Sequence, residues 1–111
     1  MGNRTQYARL ECEDGFTVSV QASHLSYCTP RKDDAVAYTH VECGYPSQAD
    51  DLLTPYAEDK TDLTGTVYGW VPASVIFALV AKHRGQTGGS LPPLTPEKPK
   101  NCQNTNTDND S

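Results

Sequence analysis

ARLECEDGFTVSVQA, residues 8–22, decides the fold, because apolar residues alternate with polar ones on both sides of a glycine. Two strands are predicted, and the apolar positions of each share one face: Ala8, Leu10 and Cys12 in the first, and Phe16, Val18, Val20 and Ala22 in the second. A two-residue loop would set Glu11 opposite Val18 and place carboxylates among the core residues. A three-residue loop ending at Gly15, in the left-handed conformation, pairs Leu10 with Val18 instead. The stretch therefore predicts a hairpin with a bulge at Gly15.

The rest of the chain predicts two more strands and two helices. A third strand covers about 36–43, and a fourth covers 66–71, which is rich in β-branched and aromatic residues. Ser47 is expected to cap a short acidic helix with Asp50 in its first turn, and a longer helix covers 72–84 before a glycine. We therefore predict an α+β fold, in which a small antiparallel sheet of about four strands, the N-terminal hairpin plus two, is packed by a short acidic helix and a longer C-terminal helix.

The length and composition predict one domain followed by a tail. A chain of 111 residues supports a single core, and we place the domain at residues 1–85. From residue 86 the composition changes to Gly, Pro, Asn, Asp and Thr without any aromatic residue, which predicts a disordered tail over 86–111. Residues 23–35 are rich in turn formers and predict a long surface loop, the kind of segment in which recognition residues are common.

The acidic residues are concentrated in one segment. A net charge of -5 argues against nucleic-acid binding and against an anionic membrane surface. Residues 42–63 contain one lysine and six carboxylates, namely Glu42, Asp50, Asp51, Glu58, Asp59 and Asp62. Such a segment is either a solvated face or a docking surface for a basic partner, and in the second case these six are the partner-binding residues.

The sequence also bears on compartment and redox state. No stretch has the apolar length of a signal peptide or of a membrane span, so an intracellular location is expected. The four cysteines, Cys12, Cys28, Cys43 and Cys102, lack the density of a disulfide scaffold, and we expect free thiols.

The stretch YTHVECGYPS, residues 38–47, is the one that most resembles a catalytic motif. His40 and Glu42 make half of a zinc-deaminase signature, but the required Cys-x-x-Cys is missing. In a strand, His40 and Cys43 point to opposite faces and cannot share a metal. No phosphate-binding glycine motif or nucleophile elbow is present either. We therefore expect no metal, no cofactor, no catalytic residues and no enzymatic activity.

Three stretches resemble a known group of proteins. These are EDGFTVSVQASHLSYCTPR, VECGYPSQADDLLTPYAED and TVYGWVPASVIFALVAKHRG, which together cover most of residues 11–85. They are similar to a family of small uncharacterised proteins encoded by bacteriophages and prophages. The resemblance implies a source and a size class but no activity, so no functional residues carry over from it.

Three functions fit these observations. The leading hypothesis is a non-enzymatic phage accessory protein that binds and inhibits a host factor through the acidic segment, for example an anti-CRISPR or other anti-defence protein. If the source is a phage, the expected partner is a host protein with a basic surface, and the expected location is the host cytoplasm. The alternative is a protein that sequesters a nucleotide signal, with Arg31 on phosphate and Tyr27 and Trp70 stacked on a base. A third hypothesis is a minor virion or assembly component, in which the apolar helix over 72–84 forms a homo-oligomeric interface.

Overall fold

The hairpin of residues 8–22 forms as its alternation predicts. In the computed structural model, which describes residues 6–97, strand β1 (Leu10–Cys12) pairs antiparallel with β2 (Thr17–Gln21), and Leu10 lies opposite Val18. Gly15 has a φ of 96° and its N–H donates to the Cys12 carbonyl at 3.0 Å. The three-residue loop with a left-handed glycine is therefore confirmed, and so is the apolar face that it creates.

Three further strands and one helix complete the domain. They are β3 (His40–Gly44), β4 (Val67–Pro72), α1 (Ala73–Lys82) and β5 (Gln86–Gly88). The sheet is antiparallel throughout, with the order β4-β3-β2-β1-β5. Apolar side chains from one face of this sheet are buried together with Ile76 and Leu79 of α1. An α+β fold, both predicted later strands and the longer helix are confirmed, although the sheet has five strands rather than about four.

The predicted short acidic helix does not form. Its only helical part is a single 3-10 turn over Thr54–Tyr56. Ser47, the expected cap, is bound to β2 instead: its N–H donates to the Thr17 carbonyl at 2.8 Å, and its Oγ accepts the Thr17 N–H at 3.0 Å. Asp50 then caps a turn, accepting the Leu52 N–H through Oδ1 at 2.9 Å. The prediction was wrong because Ser47, the expected capping residue, is hydrogen-bonded to Thr17 of β2 and does not cap a helix.

The segment after residue 85 belongs to the domain. We expected a disordered tail to begin at residue 86, but β5 pairs with the free edge of β1. Further on, the Tyr38 N–H donates to the Pro93 carbonyl at 2.8 Å, and Thr95 donates to the Tyr38 carbonyl at 3.0 Å. Backbone pairing orders this segment, and Leu91 and Leu94 pack against the core as partly buried side chains. Its composition was therefore misleading. The folded domain therefore continues at least to residue 97.

A glycine allows the segment after β5 to run close to the residues that precede β1. Gly89 has a φ of 80°, and a Cβ at this position would collide with the carbonyl oxygen of Arg9 on the neighbouring chain segment. Only glycine allows so close an approach without displacing β5. The rest of the predicted tail, residues 98–111 with Cys102, lies outside the described residues, as do residues 1–5.

Candidate functional site

A bulge in β4 positions the single tryptophan of the chain. The register between β3 and β4 shifts so that Gly69 and Trp70 together lie opposite Glu42. Trp70 has a φ of 49°, a left-handed conformation that aromatic residues rarely adopt. Its N–H donates to the Tyr27 carbonyl at 3.0 Å, so the loop over 23–35 holds the bulge in place. Bulges of this kind re-aim side chains, and strained backbone of this kind is common at functional sites.

Four predicted residues meet at this bulge. The rings of Tyr27 and Trp70 stack with centroids 4.9 Å apart and planes 26° apart. The Arg31 guanidinium carbon lies 5.5 Å from the centroid of Tyr27, within cation–π range. Glu42 accepts the Tyr27 N–H through Oε1 at 3.3 Å. We call Tyr27, Arg31, Glu42 and Trp70 the Trp70 cluster; the sequence assigned them to two separate functions, and the structure brings them together.

The Trp70 cluster remains accessible from outside. Trp70 itself is 49% exposed, and Arg31 is also exposed. Beside Glu42 lies a cavity of about 160 Å³, lined by Gln6, Gln21, Ala22, Ser23, Leu25, Ser26 and Glu42. An aromatic stack, a cation and a polar cavity therefore adjoin one another on the face of the sheet that does not form the core.

The acidic segment divides into a buried residue and exposed ones. Asp50 is only 5% exposed, so it cannot present its carboxylate to a partner, and its place among the partner-binding residues is corrected. Asp51 is exposed in the turn before the 3-10 helix.

Three other carboxylates of the segment, Glu58, Asp59 and Asp62, are also exposed. We call Glu58, Asp59 and Asp62 the acidic edge, because the Glu58 N–H donates to the Val67 carbonyl at 3.0 Å and thereby places this segment beside β4. Trp70 lies three residues further along the same strand. Hydrogen bonds from Thr61 lower the pKa of Asp59 and keep it ionised.

Two buried charged groups, Asp50 and His83, form a second cluster with two more exposed ones, and sequence reasoning missed it. The His83 ring donates from Nδ1 to Asp14 and from Nε2 to Asp50, each at 2.7 Å. Lys82 also donates to Asp50, at 3.2 Å, and the Phe16 ring stacks on His83 at 4.0 Å. We call Asp14, Asp50, Lys82 and His83 the His83 cluster. It ties the hairpin loop, the turn at residue 50 and the end of α1 to one another.

The His83 ring is charged in this arrangement. An imidazole can donate from both nitrogens only as the imidazolium. Burial opposes that charge, but the bonds to Asp14 and Asp50 outweigh it and raise the pKa of His83. Burial likewise raises the pKa of Asp50, but the bonds from His83, Leu52 and Lys82 outweigh it, so the net shift is downward. Because both nitrogens are occupied by carboxylates, this ring cannot act as a general base.

The side chains of His40 and Cys43 lie on opposite faces of β3, as strand alternation predicts. Cys43 is buried in the core, whereas His40 lies on the other face of β3 and contacts the Thr39 hydroxyl at 2.9 Å. Burial raises the pKa of the Cys43 thiol far above its usual range, which keeps it protonated and unreactive. Cys12 and Cys28 are likewise buried free thiols. Within residues 6–97, no group of three or more His, Cys, Asp or Glu residues is arranged to hold a metal ion.

The described part of the chain, residues 6–97, contains no helix of the length and apolar character that crossing a membrane requires. The chain matches no protein-family model, and comparisons with curated proteins and with solved structures found no similar protein.

Proposed function

We propose that this chain is a non-catalytic binding protein that recognises a partner protein with a basic surface through β4 and its surroundings. The observation that carries the proposal is Trp70, half exposed, held in a left-handed conformation and stacked on Tyr27. Trp, Tyr and Arg are the residues that most often dominate the free energy of protein interfaces. A ring that is already fixed by a stack loses little side-chain entropy when a partner binds.

The acidic edge supplies the expected preference for a basic partner. Glu58, Asp59 and Asp62 are exposed beside the strand that carries Trp70. Charges at the rim of an interface contribute mainly to association rate and specificity, whereas a central aromatic residue contributes mainly to lifetime. The two features together describe an interface with an aromatic centre and an acidic rim.

Binding without catalysis is the simpler interpretation of the remaining polar groups. The thiols of Cys12, Cys28 and Cys43 are buried, and both nitrogens of the His83 ring are engaged by carboxylates. A nucleophile and its base must be adjacent and open to substrate. The positions of these groups therefore indicate that they have structural rather than catalytic roles in the described domain.

The nucleotide alternative has partial support, because Tyr27, Arg31 and Trp70 do meet. However, the ring centroids of Tyr27 and Trp70 are only 4.9 Å apart, and a base between two rings needs about 7 Å, two stacking contacts of roughly 3.5 Å each. The cavity of about 160 Å³ is also smaller than the roughly 300 Å³ at which small-molecule pockets begin. Glu42 beside it would repel phosphate. A nucleotide could stack only on the outer face of Trp70.

The assembly alternative has less support. Ile76 and Leu79 of α1 are buried in the chain's own core, and Phe77 is the one large apolar residue of that helix that is strongly exposed, at 45%. A single exposed ring is little area for a stable subunit interface. Homo-oligomerisation through residues 72–84 stays a prediction, to be checked by the mass of the protein in solution.

The proposal is tested by affinity capture from bacterial lysate, followed by mass spectrometry and by measurement of Kd with the purified partner. We expect a basic protein to be retained by the chain and by Phe77→Ala, a matched exposed aromatic, but lost with Trp70→Ala. Retention should also weaken between about 0.1 and 1 M salt, as the Debye length falls from about 10 to about 3 Å. If Trp70→Ala retains the same protein with the same Kd, this surface is not the interface.

The phage origin, the host cytoplasm and an inhibitory role against a bacterial defence system remain predictions of the sequence. The same capture experiment bears on them, because an inhibitor of host machinery should retain a component of that machinery. Adding the purified chain to an activity assay of the retained component then measures inhibition directly.

A further inference from the structure

The cavity beside Glu42 contains more hydrogen-bond acceptors than donors. Glu42 accepts one N–H, that of Tyr27, through Oε1. Its other carboxylate oxygen receives no hydrogen bond from the residues that the structure describes, 6–97. An ionised carboxylate has about four lone-pair positions and no donor. Glu42 therefore brings at least two open acceptor positions and a negative charge to the cavity wall.

Two buried serines add further acceptors. Ser23 and Ser26 line the cavity and are buried, with their Oγ atoms 3.0 Å apart. Ser23 Oγ also accepts the Leu25 N–H at 3.1 Å. Two hydroxyls have two hydrogens and four lone pairs, and these two bonds use one hydrogen and two lone pairs. One donor and two acceptor positions are left for an occupant.

The side-chain amide of Gln21 adds no free hydrogen-bond donor to the cavity. Its NH₂ group donates to the Tyr7 carbonyl at 2.7 Å and to the Ser19 hydroxyl at 3.1 Å, and its Oε1 accepts the Tyr7 N–H at 3.1 Å. Both of its donors are therefore used within the chain. Gln6, the other amide in the lining, has as many donor hydrogens as acceptor lone pairs and leaves the excess of acceptors unchanged. A negatively charged, acceptor-rich cavity fits an occupant that carries several donors and a positive charge.

We propose that this cavity is the socket for an arginine side chain of the partner, an inference that rests on the proposed function. A guanidinium has five N–H donors, no acceptor and a planar face that stacks on aromatic rings. The carboxylate of Glu42 offers it a charged pair, and the buried hydroxyls of Ser23 and Ser26 offer further acceptors in the same lining. A lysine ammonium, with three donors and no planar face, satisfies fewer of these groups.

The size of the cavity agrees with a side chain as the occupant. A volume of about 160 Å³ equals roughly five water molecules at about 30 Å³ each. This is enough for the head group of one side chain but not for a cofactor or a nucleotide. The occupant thus belongs to a larger partner whose remaining surface contacts Trp70 and the acidic edge.

The test uses the whole chain, labelled with ¹⁵N, and the peptide acetyl-Gly-Arg-Gly-amide followed by NMR. We expect the amide signals of Ser26 and Tyr27 to shift, with a Kd on the order of 1 mM, because a single charge-assisted pair supports no tighter binding. Glu42→Gln should weaken binding about tenfold, since it removes the charge but keeps an acceptor for the Tyr27 N–H. Glu13→Gln, an exposed carboxylate in the hairpin loop, is the matched control and should bind normally.

Two further peptides make the outcome decisive. In the first, citrulline replaces arginine; it has the shape of arginine without the charge, so this peptide should not shift the amide signals. In the second, lysine replaces arginine, and this peptide should bind several times more weakly than the arginine peptide. The socket is overturned if citrulline binds as well as arginine, or if Glu42→Gln binds unchanged. No shift with the arginine peptide also overturns it, even when lysate capture still depends on Trp70, in which case the proposed function stands. A positive peptide result without any Trp70-dependent partner supports the socket and removes the proposed function.

Discussion

The His83 cluster and the Trp70 cluster contain the same chemical parts in two different states. Each combines a cation, a carboxylate and an aromatic ring: His83 with Asp14, Asp50 and Phe16 in one, and Arg31 with Glu42, Tyr27 and Trp70 in the other. In the first, every group is satisfied within the chain and His83 is 4% exposed. In the second, Trp70 is 49% exposed and Glu42 faces a cavity. Saturated groups stabilise the fold, whereas groups left open are available for recognition.

The largest effect expected from this comparison is on stability, at Asp50. Asp50→Asn removes the charge that faces His83 and Lys82 inside the protein. Breaking one side of a buried ion pair costs about 3 kcal/mol of unfolding free energy. Urea unfolding followed by circular dichroism measures it, and Asp51→Asn, the exposed neighbour, is the control, with a change of about 0.5 kcal/mol or less. Equal losses of unfolding free energy in the two variants would show that the ion pairs of Asp50 do not stabilise the fold.

The next effect is the dependence of stability on pH. The folded pKa of His83 is raised above 6.5, so its contribution is complete below about pH 6.5 and is lost as the pH rises through the folded value. The folded pKa values of Asp14 and Asp50 are lowered below 3.8, so their contributions are complete above about pH 4 and are lost as the pH falls through those values.

The free energy of unfolding should therefore be highest between about pH 4 and 6.5. Above that range it should fall by at most about 1.4 kcal/mol per pH unit, the limit for one proton. Asp14→Asn removes one of the bonds that raise the pKa of His83 and should make the alkaline decline shallower. Denaturant unfolding at pH 5.5, 7 and 8.5 measures the slope. Stability that increases from pH 6 to 8 would contradict the charged state of His83.

A smaller effect is expected at Trp70, where function and stability should separate. An alanine at this position keeps the left-handed strain, with a φ of 49°, whereas glycine adopts that conformation freely. Trp70→Gly should therefore be about 1 kcal/mol more stable than Trp70→Ala, while both variants lose the partner. Thermal and urea unfolding of the pair, beside the capture assay, test this. A glycine variant no more stable than the alanine variant would mean that the bulge relaxes without the tryptophan.

The smallest effect on stability belongs to the acidic edge. The double change Glu58→Gln and Asp62→Asn alters exposed carboxylates and should shift the free energy of unfolding by about 0.5 kcal/mol or less. With a basic partner, its main consequence should be slower association and a weaker dependence on salt. Stopped-flow or surface-based kinetics measure both. An unchanged association rate would exclude the acidic edge from the interface.

Local patterns allowed much of the fold to be predicted. The hairpin register followed from a two-residue period and one glycine, and α1 followed from a proline start and a glycine end. β5 could not be predicted in the same way, because it has only three residues and no apolar alternation, and it forms by backbone pairing with β1. The expected acidic helix was lost to a bond between Ser47 and Thr17, residues 30 positions apart.

The candidate site shows the same division between local and distant information. Tyr27, Arg31 and Trp70 could be chosen singly as recognition residues, but the bulge that brings them together was not predicted. Its one local signal is Gly69, because an isolated glycine inside a strand is typical of a bulge. The His83 cluster was missed because its members are far apart, with Asp14 and His83 separated by 69 positions. A run of carboxylates in sequence also cannot tell Asp50, which is buried, from Asp51, which is exposed.

The pairing of β5 with β1 bears on how the protein is made. Synthesis proceeds from the N-terminus at roughly 5–20 residues per second, so the hairpin emerges several seconds before Gln86–Gly88, the strand that covers its outer edge. An uncovered strand edge is a template for pairing with other chains. During that interval the outer edge of β1 is open to pairing with other chains, and the arrival of β5 ends this exposure.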